Sequence, residues 1–430
     1  MYHGSVTQIA VTSRRLDNGL LVTASRDPLA PGAAVNLWYD VGSADDPPGA
    51  SGFAHLFEHL MFAGSAHVPD GQHIVMLEAL GGLTNATTSS DRTNYFETVP
   101  TGALNLALWL EADRLQSLRV SKQALDTQRA VVIEEKRQRY DNQPYGDQLA
   151  LILALGLPTG HPYATPTIGS LADLQAAQLD DVRAFHDAHY RPSNASLVVV
   201  SPLPDDDVFT LADRYLGAVT SPDTPGLPSS QLPALPPLTG VPRQRVTRPV
   251  PRSVLHLLWR TPPDTHPDSP AIGVALGILA AGQACRLHRD LVRQRGIAQS
   301  VAATDLGLNR GTSLSGITAS PASGMALEAL EQAVVQHLQT LADDGPTAEE
   351  MRRTRAQLER EWFAGLSGIG DRADAINEAA VIWGDAARIN DDLDRWLAVT
   401  AGDVARAAGT WLDADRRAVL EYVAESEATS

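Results

Sequence analysis

Residues 51–64 read SGFAHLFEHLMFAG, and this stretch predicts a helix with one buried face. Ser51 is a favourable N-cap, Gly64 is a favourable stop, and the residues between them form helices readily. His55 and His59 are four residues apart, so their imidazoles lie one turn apart on the same face. Glu58 flanks that face. The apolar residues around these three positions indicate that the helix packs against a core.

The order His-x-x-Glu-His supplies most of a hydrolytic zinc site within one helical turn, in the inverted order of the inverzincins. A catalytic zinc ion takes three protein ligands and keeps one position for water. His55 and His59 would be two of the ligands, and Glu58 would accept the proton of the water. A histidine pair on a helix is also a common surface or packing feature. Burying histidines without a partner is costly, which favours the ligand role.

The third ligand has to come from another part of the chain, and a carboxylate is expected. Residues 126–139 read DTQRAVVIEEKRQR and are helix-like, with Glu134 and Glu135 near the centre. Such a pair more often forms a solvated helix face, because charged side chains are mostly exposed. The local pattern leaves the choice between the two glutamates open.

The composition narrows the class of protein. The chain has 430 residues and a net charge of −17, with no basic run that would favour nucleic-acid binding. Its single cysteine, Cys285, excludes an intrachain disulfide framework and a multi-cysteine metal site. No apolar run approaches the ~20 residues that span a bilayer, and residues 1–16 lack the features of a signal peptide. We therefore expect a cytoplasmic protein that does not enter a membrane.

The chain organisation predicts two domains. Residues 221–243 are rich in proline and serine and form a predicted linker between residues 1–220 and residues 244–430. Each half opens with a strand-like segment followed by a helix-like one and later contains long helical stretches. Strands mixed with runs of helix predict an α+β fold, and the parallel between the halves suggests an internal duplication.

Several further segments resemble the pitrilysin, insulinase and mitochondrial-processing-peptidase family of zinc metallopeptidases, in particular the small bacterial two-domain, zinc-binding (beta-like) type. The resemblance covers nearly the whole chain. Besides the histidine motif, it rests on GGLTNATTSSDRTNYFETVP (81–100), LEADRL (110–115), QRAVVIEEK (128–136), GHPYATPTIGS (160–170), FHDAHYRPSNASLVVV (185–200) and CRLHRDLVRQRGIAQSV (285–301).

The resemblance implies two homologous α+β domains, each an antiparallel-rich mixed sheet covered by helices. It implies that Glu135, rather than Glu134, is the third ligand of one Zn²⁺ ion per chain. A peptide substrate would add as a strand beside Asn85, Ala86 and Thr87, using main-chain hydrogen bonds for affinity. The alternative for Asn85 is that it is only a turn residue, since asparagine is favoured in turns.

Two departures from the family pattern bear on activity. Gln128 stands where the family often has a glutamate that supports the zinc site, so this position lacks a negative charge. Val292 and Gln299 stand where family members that are active as a single chain have an arginine and a tyrosine that bind substrate. Neither Val292 nor Gln299 can donate hydrogen bonds as that arginine and tyrosine would. The resemblance therefore implies a homologous partner chain in a heterodimer that supplies the missing pair. A homodimer is the alternative.

Two rival functions remain open beside that of a zinc endopeptidase subunit. One is a non-catalytic scaffold subunit of a processing-peptidase-like complex, and the other is a zinc-stabilised peptide-binding module without turnover. The remaining histidines of the family-like segments are interpreted as packing, capping or surface residues; they are His67, His73, His161, His186 and His189.

Overall fold

The computed structural model describes residues 8–222, 225–229 and 231–427. Residues 223, 224 and 230 of the predicted linker lie outside the described residues. The chain divides into two compact units, each assembled from three segments. Unit 1 contains Met1–Lys136, Pro166–Ser230 and Glu361–Asp392, and unit 2 contains Arg137–Thr165, Gln231–Arg360 and Leu393–Ser430.

These units cross the predicted domain boundaries in two places. Arg137–Thr165 lies within the predicted first domain but belongs to unit 2, whereas Glu361–Asp392 lies within the predicted second domain but belongs to unit 1. Local periodicity indicates that a segment is helical, but it does not indicate which sheet the helix covers.

The strands form two mixed sheets, one in each unit. They are β1 (Thr12–Arg15), β2 (Leu21–Arg26), β3 (Ala33–Tyr39), β4 (Leu83–Thr88), β5 (Thr93–Val99), β6 (Ala195–Ser201), β7 (Arg243–Arg248), β8 (Val254–Thr261), β9 (Ala298–Asp305), β10 (Ser313–Pro321) and β11 (Ala418–Ala424). The order is β1-β2-β6-β3-β5-β4 in unit 1 and β7-β11-β8-β10-β9 in unit 2.

Antiparallel pairing dominates both sheets. The parallel pairs are β2 with β6 and β7 with β11, and every other neighbouring pair in the described sheets is antiparallel. The predicted α+β class, with antiparallel-rich mixed sheets, is confirmed.

The helices are α1 (Phe53–Leu60), α2 (Gln72–Glu78), α3 (Leu104–Ser117), α4 (Lys122–Lys136), α5 (Gln148–Gly156), α6 (Leu171–Ala176), α7 (Leu179–His189), α8 (Asp205–Leu216), α9 (Ser269–Ala280), α10 (Leu327–Asp344), α11 (Ala348–Gly365), α12 (Ile369–Ile382), α13 (Asp392–Leu397) and α14 (Ala401–Trp411). Five short 3-10 segments and two π-helical segments, Arg137–Asp141 and His288–Gln294, connect them in the described chain. None of these helices combines the length and the apolar character that crossing a bilayer requires.

In unit 1 both faces of the sheet are covered. Strands β3 and β6 are buried at every position, as expected for central strands packed on two sides. Helix α12 covers one face, where Ala373 and Ile376 pack against Ala34, Val198 and Val200. Helices α1 and α3 contact the sheet through β5, and α1 also contacts the edge strand β4.

In unit 2 the main core lies between the sheet and helices α9, α10 and α14. Central strand β11 is buried at every position, and the buried apolar cluster joins strand and helix residues such as Leu257, Ile317, Leu276, Leu330 and Val404.

Candidate metal centre

Helix α1 presents two imidazoles on its partly exposed side. Leu56, Phe57 and Leu60 bury the opposite side, so the helix has one fixed rotation about its axis. The rings of His55 and His59 lie 5.0 Å apart between centroids, edge to face. Both side chains are mostly covered, with 13% of the His55 surface and 23% of the His59 surface exposed.

The start of α1 is held by a carboxylate from the preceding loop. The predicted N-cap, Ser51, is wrong: Gly52 occupies that position with φ of 90°, and Ser51 Oγ instead donates to Asp173 Oδ2 at 2.5 Å. Asp46 accepts hydrogen bonds from the backbone N–H groups of Gly52 (2.7 Å) and Ala54 (2.8 Å). Burial raises the pKa of Asp46 to about 7, although these hydrogen bonds act to lower it.

Gly52 is required at this position for two reasons. Its positive φ is strained for any residue with a side chain. A Cβ there would lie 2.9 Å from the carbonyl oxygen of Ile168 and 3.0 Å from Cα of Gly169. The backbone of the 168–169 loop therefore packs directly against the first turn of the histidine helix.

Helix α4, which contacts α1, brings Glu135 to the two histidines. Glu135 Oε2 lies 3.3 Å from His59 Nε2 and 3.7 Å from His55 Nε2. Neighbouring ligand atoms of a tetrahedral zinc site with bonds near 2.1 Å are about 3.4 Å apart. Glu134 is exposed and is not one of the grouped donors. The three donors therefore fit a single zinc ion.

Glu58 lies beside this group of donors but is not one of them. The hydroxyl of Thr88, on β4, donates a hydrogen bond to Glu58 Oε2. Burial raises the pKa of Glu58 above its ordinary value, while the Thr88 hydrogen bond and the neighbouring His59 and Arg92 oppose that rise. A buried carboxyl with a raised pKa is suited to exchanging protons near neutral pH.

The three predicted substrate-contacting residues lie on β4, the last strand of its sheet. Asn85 is an exposed strand residue rather than a turn residue, and its Oδ1 accepts a hydrogen bond from the backbone N–H of Ala86 at 2.9 Å. Thr87 is exposed as well, whereas Ala86 is buried. Among the described residues, only β5 pairs with β4, so one edge of β4 can accept a further strand.

Gln128 lies on α4, seven residues before Glu135 and so on the same helical face. It is half-buried, and its side chain forms no hydrogen bond within the described part of the chain.

In unit 2, Val292 packs against the core. Gln299 lies on β9, where its Oε1 accepts a hydrogen bond from Nη1 of Arg252. Nothing in the local sequence signals this arginine contact.

A second set of possible metal donors is completely buried in unit 1. His73, Glu97 and Glu111 bring donor atoms within 4.8 Å of one another. This set already contains a cation, because Arg114 pairs with both oxygens of Glu111 through Nε and Nη2. Burial lowers the pKa of His73 to about 3, and burial beside Glu111 raises the pKa of Glu97. We interpret this set as a closed ion-pair cluster rather than as a metal site.

Comparison with known families gives two matches. Residues 21–157 match the family described as "Insulinase (Peptidase family M16)". Residues 176–358 match the family described as "Peptidase M16 inactive domain". The first range includes His55, Glu58, His59 and Glu135, and the second includes none of them.

Similar proteins come from bacteria and plants. "Zinc protease PqqE" of Helicobacter pylori is 27% identical over 384 residues, which is 88% of this chain and 84% of that protein. "Coenzyme PQQ synthesis protein F" of Pseudomonas aeruginosa is 31% identical over 359 residues, 79% of this chain but 43% of that protein. The "probable mitochondrial-processing peptidase subunit beta" of Arabidopsis thaliana is 25% identical over 407 residues, 92% of this chain and 75% of that protein.

Solved structures share the fold. A protease from Helicobacter pylori superposes with a TM-score of 0.90 at 25% identity, covering 97% of this chain and 100% of that one. Pitrilysin superposes with a TM-score of 0.80 at 19% identity, covering 97% of this chain and 45% of the longer pitrilysin chain. At that level of identity the likeness to pitrilysin concerns the fold alone.

Proposed function

This chain belongs to the insulinase family of peptidases, family M16, and we propose that it is the zinc-dependent endopeptidase subunit of a peptide-hydrolysing assembly. One observation carries the proposal. His55, His59 and Glu135 each offer one donor atom, these atoms lie within 4.8 Å of one another, and Glu58 is on the same helix as the two histidines without being one of the donors.

Each residue of the proposed site has a separate role in the reaction. His55, His59 and Glu135 would hold a zinc ion, which would supply Lewis acidity and make a water molecule acidic near neutral pH. Glu58 accepts the proton of that water and delivers it to the nitrogen of the departing amine. Thr88 donates its hydrogen bond to Oε2 of Glu58, so Oε1 would be the oxygen that accepts the proton.

The substrate would bind as an added strand along β4. Its backbone would pair with the open edge at Asn85, Ala86 and Thr87, which gives affinity without demanding a particular sequence. Side chains of an added strand alternate between the two faces of the sheet. On one face they would lie next to Ala86 and Thr88, close to Glu58.

We propose further that a homologous partner chain completes the site. The support is the pair Val292 and Gln299, which replaces an arginine and a tyrosine of self-sufficient relatives. The alternative is a homodimer of this chain. Assays of the pure chain and of the chain mixed with its homologue, at equal zinc content, distinguish the two.

The central test uses a quenched peptide, zinc analysis and Glu58→Gln. The wild-type chain, alone or with its partner, is expected to bind one zinc ion and to cleave the peptide. Glu58→Gln should keep the zinc and lose turnover by about 100-fold or more, as expected for removal of a general base. Turnover retained in that variant would place the base elsewhere.

The rival with specific support is a binding or scaffold subunit, because residues 176–358 match an inactive domain. That function predicts zinc and peptide binding without cleavage, even with the partner present. The donor set and Glu58 all lie within the segment that matches the insulinase description, which favours catalysis.

A further inference from the structure

Helix α12, which comes from the last part of the chain but packs in unit 1, places one carboxylate against the sheet. Asp374 Oδ1 accepts three hydrogen bonds, from Asn36 Nδ2 (3.0 Å), Trp38 Nε1 (2.8 Å) and Asn94 Nδ2 (2.8 Å). The three donors are buried and lie on the neighbouring strands β3 and β5. A carboxylate with three such donors fixes the position of each of them.

The network continues from β5 to the edge strand β4. Asn94 Oδ1 accepts hydrogen bonds from Thr87 Oγ1 at 2.6 Å and from Arg92 Nη1 at 3.2 Å. Arg92 Nη1 also donates to the backbone carbonyl of Thr87 at 3.0 Å, and its guanidinium lies 5.1 Å from the ring centroid of Trp38. Thr87 is thus held through both its side chain and its backbone.

The neighbouring residue, Thr88, faces the opposite side of the sheet, because successive side chains of a strand alternate. On that side Thr88 donates its hydrogen bond to Glu58. The same alternation separates Asn94, which contacts Asp374, from Tyr95, which contacts Phe62 on the side of α1. Holding Thr87 from one face therefore sets the position of Thr88 on the other.

An edge strand needs such support, because it has one neighbour and opens more readily than central strands. Charge contributes as well. Arg92 is half-buried, and burial lowers its pKa, while the carboxylates of Asp374, Glu378 and Glu58 act in the opposite direction. Asp374 thus attracts the Arg92 guanidinium, which contacts Thr87.

We propose that Asp374 is a positioning residue for the peptidase site, acting through Asn94, Arg92 and Thr87 to hold Thr88 against Glu58. The inference rests on the proposed function for its catalytic consequence. Its structural part, support of β4 by α12, stands on the hydrogen bonds alone.

The test compares Asp374→Ala, Asp374→Asn and the matched control Asp371→Asn in the full chain, with partner present if the wild type needs it. Asp371 lies on the same helix but is exposed and outside the network. The readouts are zinc content, hydrogen exchange of the backbone amides of residues 83–98, and kcat and KM on a quenched peptide.

We expect Asp374→Ala to bind zinc as the wild type does, to exchange the β4 amides faster, and to lose kcat by about 10-fold. Asp374→Asn keeps an oxygen that accepts from the same three donors, so it should recover kcat to within about threefold. Asp371→Asn should match the wild type in every readout. If Asp374→Ala does not fold, Asn94→Ala cuts the same link to Thr87 and should give the same result.

Unchanged exchange and unchanged kcat in Asp374→Ala would overturn the proposal. A lower melting temperature with unchanged kcat for each zinc-loaded molecule would overturn it too, because that is the signature of a merely structural role. Faster β4 exchange in Asp374→Ala, in a protein whose wild type cleaves nothing, would support the structural part alone, the support of β4 by α12, and would overturn the proposed hydrolysis together with the catalytic part that rests on it.

Discussion

The hydroxyl of Thr88, on the edge strand, donates a hydrogen bond to Oε2 of Glu58, on the histidine helix. The bond joins strand β4 to helix α1, and these two elements contact each other. It favours the ionised form of Glu58, against the burial that raises the pKa of this carboxyl. Thr88 therefore influences both where the carboxylate points and when it is charged.

Thr88→Val should reduce kcat at neutral pH by about 10-fold, because a general base has to be ionised and correctly oriented. Removing the hydrogen bond raises the pKa of Glu58 further, so the acid limb of the kcat/KM profile should move to higher pH. Thr88→Ser keeps the hydroxyl and should keep the wild-type profile. The measurement is a pH–rate profile of all three proteins at equal zinc content. A Val variant with the wild-type acid limb would show that Thr88 does not act on the base.

The adjacent glutamates of α4 offer a matched pair of variants. Glu135 faces the two imidazoles, whereas Glu134 is exposed one residue away. Glu135→Gln should weaken zinc binding by at least about 100-fold, since even groups that only support metal ligands are worth 10- to 100-fold. Glu134→Gln should bind zinc as the wild type does.

Competition with a zinc-sensitive dye measures both affinities under the same conditions. Equal zinc affinities of the two variants would remove Glu135 from the proposed ligand set. Because the two substitutions are chemically identical and adjacent, a general effect on the stability of α4 would appear in both.

Local sequence was sufficient for the part of the site that lies within one helical turn. The spacing of His55, Glu58 and His59 predicts their common face, and α1 has that geometry. The choice between Glu134 and Glu135 needed the family resemblance, because both lie in the same helical segment. The contact of Thr88 with Glu58 could not be predicted, because sequence periodicity does not indicate which strand residue faces a helix that is distant in the chain.

The fold shows the same division between local and distant information. The helical pattern of α12 is evident in IGDRADAINEAAVI, but nothing in it indicates that the helix packs on the sheet of unit 1. The contact is made by Ala373 and Ile376 on the apolar side and by Asp374 and Asn377 on the polar side. Such pairing depends on the path of the whole chain, which local patterns do not contain.

The loop carboxylate at the start of α1 leads to a stability prediction. Asp46 accepts the N–H groups of Gly52 and Ala54, which otherwise lack acceptors at the beginning of a helix. Asp46→Ala should cost about 1–2 kcal/mol, as lost helix caps do. For a unit of this size, each kcal/mol lowers the melting temperature by about 2–4 °C.

Asp46→Asn keeps one acceptor oxygen and should lose less. Thermal melts of the three proteins, with and without zinc, give the comparison. The zinc affinity of Asp46→Ala should also fall, because fraying of the first turn displaces His55, which is next to Ala54. If Asp46→Ala has the same melting temperature as the wild type, α1 does not depend on this cap.

The buried histidine of unit 2 predicts how stability changes with pH. His256 lies on β8 at 0% exposure, with Nδ1 3.0 Å from Thr318 Oγ1 on β10. Burial lowers its pKa to about 4, below the 6.5 of an accessible histidine. Between these two values the unfolded chain binds the proton and the folded chain does not. The stabilising contribution is therefore complete above pH 6.5 and is lost as the pH falls from 6.5 towards 4.

His256→Gln removes this titration while keeping a polar side chain that can bond to Thr318. Wild-type stability should fall more steeply on acidification than that of the variant, by up to about 1.4 kcal/mol per pH unit in this window. Denaturant unfolding of both proteins from pH 7.5 to 4.5, with a chelator present, isolates the difference from zinc release. His73, whose pKa burial lowers to about 3, titrates in both proteins and cancels in the comparison. Parallel stability curves for the two proteins would show that His256 keeps the ordinary pKa of a histidine in the folded protein.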